Sequence, residues 1–417
     1  MLHSTLQRKE GGDLHMEQVS LEEIAQQYGT PVFVYSEAAI RSAYEAFDAS
    51  LSMHPHNICY AVKANSNLSI LQLLAEMGSG FDIVSGGELA RVLRAGGDPS
   101  RVVFSGVGKQ DWEIDLALEH EIGCFNVESA SELDRIARVA DVTGNVAPIS
   151  IRVNPDVDPK THPYISTGLK ENKFGVSTDE AFDLYKKAAV TPSLRIVGID
   201  CHIGSQITEL TPFLDALTRV LALADKLADR AIEVDHIDLG GGIGVQYKDE
   251  TPIDVGEFAS AIGQAMSGRP QSLVLEPGRM IVANAGILLT RVNTLKSNEG
   301  KNFAVVDAAM NDLIRPALYS AWQDVVAVAE TNAQAKTWDI VGPVCETGDF
   351  LAKDRHLAIN EDDLVAVLSA GAYGFVMSSN YNSRPRAAEV MVSGDEHRVI
   401  RRRESIDDLF ALESIRE

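Results

Sequence analysis

Residues 58–95 read ICYAVKANSNLSILQLLAEMGSGFDIVSGGELARVLRA. A β-rich run at 58–62 leads into an amphipathic segment at 69–77, and the order repeats with a run at 80–84 and a segment at 87–95. In the segments, apolar residues recur at helical spacing. The runs are short and almost continuously apolar, as strands covered on both faces are. Outward from this stretch, further runs lie at 101–104, 122–127, 149–153, 196–202, 236–239 and 273–276, with helical segments at 129–140, 178–189 and 212–230. Eight strands alternating with helices over roughly 220 residues predict an α/β fold built on a (β/α)8 TIM-type barrel.

Beyond residue 285 the texture changes. Strand-like runs at 286–295, 303–307, 338–341, 364–368 and 388–392 follow with few helices between them, which predicts a C-terminal antiparallel β-domain. A lone run at 31–35 precedes the barrel and is expected to pair with that sheet. The expected division is therefore 1–36, an N-terminal segment packing with the β-domain; 37–285, the barrel; and 286–417, the β-domain. A length of 417 residues suits a barrel of about 250 residues plus a second module.

A formal charge of −23 repels phosphate backbones and anionic membrane surfaces. The basic run Arg401-Arg402-Arg403 is broken at once by Glu404 and reads as a solvated face, so neither nucleic acid nor membrane is an expected partner. No stretch approaches the roughly 20 apolar residues of a membrane span, and residues 1–17 carry no apolar leader core. Cys59, Cys124, Cys201 and Cys345 are widely spaced and form no CxxC pair, which argues against a zinc site or disulfide framework and for the reducing cytoplasm. The first three sit in apolar runs as small buried hydrophobes.

In a barrel the chemistry gathers at the carboxyl ends of the strands, and here those ends are polar. The first run closes Tyr60-Ala61-Val62-Lys63-Ala64-Asn65. Most strand-end lysines reach solvent; a desolvated one has a lowered pKa and condenses with aldehydes. The seventh run closes Asp238-Leu239-Gly240-Gly241-Gly242-Ile243-Gly244, where consecutive glycines form either a plain tight turn or a backbone cradle for phosphate. Val245 stands where the dinucleotide fingerprint needs glycine, so a Rossmann reading fails. The eighth run closes Glu276-Pro277-Gly278-Arg279. A carboxylate leaving an apolar strand needs a cation, either Arg279 itself or a protonated pyridine nitrogen. The sixth run ends Cys201-His202-Ile203-Gly204-Ser205-Gln206. His202 reads as a core histidine, as a ring that stacks on a flat cofactor, or, least well, as a metal ligand with His236 and Asp238. No metal is expected.

Taken together, these motifs resemble those of the bacterial diaminopimelate decarboxylases, within the alanine-racemase-like barrel class of pyridoxal-phosphate enzymes. The resemblance runs from about residue 22 to 412 and rests on 60–65, 81–88, 152–175 (with Asn154-Pro155-Asp156 and Thr161-His162-Pro163-Tyr164), 202–206, 240–242, 276–279, Cys345-Glu346-Thr347-Gly348-Asp349 and Gly371-Ala372-Tyr373-Gly374. Jointly these are specific; singly they are not. Thr347 departs from the family's more usual Ser and leaves Cys345, Glu346 and Asp349 in place.

The resemblance implies pyridoxal 5′-phosphate as cofactor, carried on Lys63 as a Schiff base, with Glu276 at the pyridine nitrogen and His202 stacked on the ring. Ser205, Gly241, Gly242, Pro277, Gly278, Arg279 and Tyr373 would surround the phosphate, and Asp82 and Arg152 would orient Lys63 and the cofactor. Decarboxylation is faster when the departing carboxylate is poorly solvated, so arginines belong at the remote end of the substrate. In the resemblance Arg279, Arg315 and Tyr319 bind the distal carboxylate of meso-diaminopimelate, Tyr373 also contacts the substrate, Glu346 takes its distal ammonium, and Cys345 is the candidate proton donor. It further implies a homodimer in which Cys345 and Glu346 reach the partner's site. A racemase or a cofactor carrier on the same barrel fits less well, because the first usually sets an arginine at the pyridine nitrogen and the second lacks a β-domain. Ornithine- or arginine-type decarboxylation is the nearest alternative; it shares the cofactor motifs but lacks a distal carboxylate clamp.

Overall fold

Eight short strands form a closed parallel barrel: β1 (His56–Ala61), β2 (Gly80–Ile83), β3 (Val102–Phe104), β4 (Cys124–Val127), β5 (Ala147–Arg152), β6 (Leu194–Asp200), β7 (His236–Asp238) and β8 (Ser272–Leu275). Each pairs with the next in chain order, and Leu273 to Leu275 of β8 pair with His56 to Ile58 of β1 to close the ring. This is a computed structural model; it describes residues 4–9, 11–157 and 173–416. The motif Thr161-His162-Pro163-Tyr164 lies outside the described residues.

Nearly every strand residue is buried, as the continuous apolar runs require: the barrel covers one face and the surrounding helices the other. Those helices include Leu68–Glu76, Gly86–Arg94, Ala130–Thr143, Thr178–Ala188 and Thr211–Ala228, each close to its expected span. Several start at a polar cap. Ser85, Ser129 and Ser177 accept from the backbone N–H of Glu88, Glu132 and Glu180, and Asp254 accepts from Glu257, so an acidic residue stands three positions on each time. The spacing of apolar residues did not single out Asp111–Glu119 or Val255–Ala265.

One difference at the first strand bears on the site. The expected run 58–62 ends as strand at Ala61, and Val62–Ala64 forms a single 3₁₀ turn, so Lys63 sits on a turn at the barrel mouth. The Ala61 N–H, last on that strand, donates to the Pro277 carbonyl at 3.0 Å.

The barrel belongs to a unit comprising Tyr44–Val245 and Thr251–Met280; a second unit comprises the chain through Ala43, Gln246–Glu250 and the chain from Ile281. In the second unit the strand Val32–Ser36 lies between Gly286–Asn298, antiparallel, and Ala388–Ser393, parallel. All five of its residues are buried, so the N-terminal run joins the C-terminal sheet as its apolar sequence suggested. That sheet has nine strands and is mostly antiparallel; Lys301–Val306 with Lys336–Val341 is its other parallel pair. A small three-stranded sheet, Leu6–Arg8, Leu14–Met16 and Val19–Ser20, packs Leu6, Leu14 and Met16 against Val32, Val34, Ile287 and Leu289. Among the described residues no helix is long and apolar enough to cross a membrane.

Candidate active site

The carboxyl ends of β1, β2, β5, β6, β7 and β8 bring most of the expected barrel residues into one mouth. Lys63 Nζ donates to Asp82 Oδ2, whose side chain is fully buried at β2. Arg152, at the end of β5, donates to Glu128 Oε1 at 3.1 Å and lies 3.9 Å from Asp200 Oδ2. Burial works against its charge, but Glu128, Asp200 and Glu276 outweigh that and raise its pKa. Arg152 also donates to the His202 carbonyl at 3.4 Å, linking the ends of β5 and β6.

Past β6, His202 Nδ1 accepts the Gly241 N–H at 3.2 Å, which leaves the ring proton on Nε2. Burial first, then the charges of Arg152 and Lys63, push the His202 pKa well below its usual value, so the imidazole is neutral. The glycine loop after β7 is packed to backbone contact. A Cβ on Gly241 would stand 2.0 Å from the Glu276 carbonyl, and one on Gly242, whose φ is +104°, would stand 2.2 Å from the Gly204 carbonyl. The loop is held from both sides, since Gly240 N–H donates to Asp238 Oδ1 at 2.8 Å and Glu276 N–H donates to the Gly240 carbonyl at 2.7 Å.

Glu276 ends β8 and is buried. Burial, then Asp238, Asp82 and Asp200, drive its pKa well up against the opposing pull of Lys63; an ionised Glu276 needs a cation. Arg279 opens the next short helix and donates through Nη2 to Ser205 Oγ at 2.9 Å. Ser205, Arg279 and the glycine loop thus form one wall of the mouth, with no room for further side chains on the loop. Asp200, Asp238 and Glu276 carry oxygens within 4.8 Å of one another; neither His202 nor His236 belongs to that group. His236 instead starts β7, at the opposite end of the strand from Asp238, with Nε2 against Gly198.

Arg315 opens the helix Arg315–Tyr319, is buried, and lays its guanidinium 4.6 Å from the Tyr247 ring centre. Cys345 is exposed, and its N–H donates to Asn382 Oδ1 at 3.0 Å. Glu346 Oε2 accepts from the Tyr381 hydroxyl at 2.9 Å. Asp349 organises this loop by accepting the N–H groups of Met310 and Val344, each at 2.7 Å. Tyr373 adopts a left-handed backbone with φ +54°. By contrast, Cys59, Cys124 and Cys201 are buried in or beside barrel strands, where desolvation raises their thiol pKa values, Cys124 to about 12, and makes them poor nucleophiles.

Sequence reasoning did not single out Ser105, Asn126, Ser150 or Asp200, all buried polar residues in or at the ends of apolar barrel strands. That position was the available signal: a lone polar residue in a run covered on both faces must find a partner. Tyr381 and Asn382 were missed for a different reason, because 35 or so residues of chain separate them from the Cys345-Glu346 pair they bond to.

A family model described as the pyridoxal-binding domain of pyridoxal-dependent decarboxylases matches residues 37–283. The diaminopimelate decarboxylase of Pseudomonas aeruginosa is 60% identical over 403 residues, 97% of this chain and 97% of its own. The chain belongs to the diaminopimelate decarboxylase family. A Helicobacter pylori family member solved with L-lysine shares the fold with a TM-score of 0.91 at 46% identity, covering 94% of this chain and 98% of its own. An M. jannaschii member, also solved with L-lysine, has a TM-score of 0.95 at 36% identity over 100% of this chain and 99% of its own. The barrel residues from Lys63 to Arg279 all fall inside the matched pyridoxal-binding span, and this chain is a pyridoxal-dependent decarboxylase.

Proposed function

We propose that this chain decarboxylates meso-2,6-diaminopimelate at its D-centre to L-lysine and carbon dioxide, the last step of lysine biosynthesis, with pyridoxal 5′-phosphate held at the barrel mouth. The observation that carries the reading is the pairing, in one mouth, of a strand-end lysine against buried Asp82 with a buried carboxylate, Glu276, whose ionisation calls for a cation. The residues fit the group: an amine for its aldehyde, a carboxylate for its ring nitrogen, a neutral imidazole for its face, and a side-chain-free loop beside Ser205 and Arg279 for its phosphate. When bound, pyridoxal phosphate supplies the electron sink that lets a carbon–carboxylate bond break heterolytically.

The chain's own residues do the rest. Asp82 orients Lys63, the point of attachment, and Arg152 braces the mouth through Glu128. Glu276 would keep the ring nitrogen protonated, and His202 would cover the ring without adding charge. Ser205, Gly241, Gly242, Pro277, Gly278 and Tyr373 would surround the phosphate. Arg279, Arg315 and Tyr319 would hold the distal carboxylate, Tyr373 would also contact the substrate, Glu346 would hold the distal ammonium, and the departing carboxylate would be left without a guanidinium. Cys345, an exposed thiol, would deliver the proton that replaces carbon dioxide.

The proposal includes the division into residues 1–36, 37–285 and 286–417, a cytoplasmic enzyme, and a homodimer whose sites each draw Cys345 and Glu346 from the partner. Ornithine- or arginine-type decarboxylation is disfavoured by the two-ended substrate set, Arg315 and Tyr319 with Glu346, and by the 60% identity to a diaminopimelate decarboxylase.

Incubating the protein and pyridoxal phosphate with meso-diaminopimelate, L-lysine, L-ornithine and L-arginine, while detecting carbon dioxide, tests the reading. Only meso-diaminopimelate is expected to react appreciably, and borohydride reduction is expected to tag Lys63. Efficient turnover of ornithine, or a tag on another lysine, overturns the corresponding assignment.

A further inference from the structure

Behind Glu276 the barrel interior holds a chain of polar residues with a defined direction. Ser150 Oγ donates to Asn126 Oδ1 at 2.5 Å, and Cys124 Sγ lies 3.7 Å from the same oxygen as a second, weaker donor. With Oδ1 thus occupied, the amide is oriented and Asn126 Nδ2 faces the other way, donating to Ser105 Oγ at 3.2 Å and to Glu276 Oε1 at 3.4 Å. Ser105 Oγ, having accepted from Asn126, has its own proton for Glu276 Oε1, 3.4 Å away. Asn126 and Ser150 lie on β4 and β5, Ser105 and Glu276 directly follow β3 and β8, and all four are buried.

Both donors fall on one oxygen of Glu276. They fix its rotation and favour its ionised form, because hydrogen bonds to a carboxylate stabilise the anion. Such help is needed where Asp238, Asp82 and Asp200 all oppose ionisation of Glu276.

We propose that Ser105 and Asn126, set by Ser150, are positioning residues that hold Glu276 as an oriented carboxylate toward the cofactor's ring nitrogen. This rests on the reading of Glu276 as the partner of that nitrogen. Neither side chain reacts; each acts through Glu276.

Binding of two ligands that differ only at that nitrogen tests the proposal without reference to turnover. Apoprotein is titrated with pyridoxal 5′-phosphate and with its 1-deaza analogue, in which carbon replaces the ring nitrogen, and the ratio of dissociation constants is read. The wild type is expected to prefer pyridoxal phosphate, and Glu276→Gln to lose most of that preference. Asn126→Leu keeps the branched shape at a somewhat larger volume and removes both polar atoms, and Ser105→Ala removes only a hydroxyl. Each is expected to cut the preference at least about tenfold, the scale of a lost hydrogen bond to a charged group, and to have no further effect in the Glu276→Gln background. Melting of the apoproteins reports folding separately, and Ser105→Ala keeps the test available should Asn126→Leu fail to fold. If both ligands weaken equally, so that the ratio is unchanged, Ser105 and Asn126 are structural only and the proposal is wrong. If the wild type shows no preference at all, the reading of Glu276 itself fails.

Discussion

Asp238 and His236 occupy the two ends of one three-residue strand, and burial moves both from their usual titration. The Asp238 carboxyl is pushed up to about 6, by burial and despite its bond from Gly240 N–H, whereas burial takes the His236 imidazole down to about 4 against a small opposing pull from Asp235. The two have opposite consequences for stability. Folded His236 stays neutral down to a pH near 4, whereas in the unfolded chain it takes up a proton near 6.5. Its contribution is therefore complete above about pH 6.5 and is lost as the pH falls toward 4, up to about 3 kcal/mol in all. Buried carboxyls with raised values, Asp238 and Glu276 among them, have the reverse sign and gain relative stability on acidification. The difference between wild type and His236→Gln isolates the histidine: the variant's apoprotein is expected to lose less melting temperature than the wild type between pH 7 and pH 4.5. Parallel melting curves across that range would show that His236 is not held neutral.

One loop and one helix show how glycine serves opposite ends. In the loop after β7, Gly241 lies so close to the Glu276 carbonyl that any Cβ forces the backbone apart, and Gly241→Ala is expected to weaken pyridoxal phosphate binding by tenfold or more while the barrel still folds. Gly263, inside the helix Val255–Ala265, meets nothing within 4 Å of an added Cβ. There Gly263→Ala should add about 0.5–1 kcal/mol, the difference in helix propensity. Equilibrium titration for the first and thermal melting for the second check the pair; comparable effects of the two substitutions on cofactor binding would mean that the loop is not the cradle. The caps make the same point for the outer ring: Ser85, Ser129, Ser177 and Asp254 each stop the preceding loop with one side-chain bond.

For the whole molecule, the proposed homodimer makes a prediction that a single chain could not satisfy. Lys63→Ala removes the attachment point in the barrel, and Glu346→Ala removes the proposed ammonium partner in the β-domain. Alone, each homodimer is expected to be inactive or nearly so. Co-refolded in equal amounts with random pairing, half of the dimers are mixed and each holds one site with neither lesion, so activity should return to roughly a quarter of the wild-type value. Mixed dimers demonstrated by mass but as inactive as the parents would place Lys63 and Glu346 of one site on the same chain.

The alternation of apolar runs with helical segments, the lysine closing the first run, the glycines closing the seventh and the Glu276-Pro277-Gly278-Arg279 turn were all legible in the amino-acid order. Each is a local pattern, expressed through the period of a strand or helix or through the backbone freedom of a glycine. The strand Val32–Ser36 was legible as a strand, but its parallel seat beside Ala388–Ser393 depends on residues more than 350 positions away. Phe350–Leu357 escaped notice because FLAKDRHL interrupts its alternation with consecutive charged residues. Within the site, only the folded barrel brings Ser105 and Asn126 to Glu276 across 171 and 150 positions of chain, just as only the folded β-domain brings Asn382 to Cys345 and Tyr381 to Glu346. Strand sequence sets which residues face inward; closure of the ring and its register decide which inward-facing groups meet, because those are long-range properties of the whole sheet.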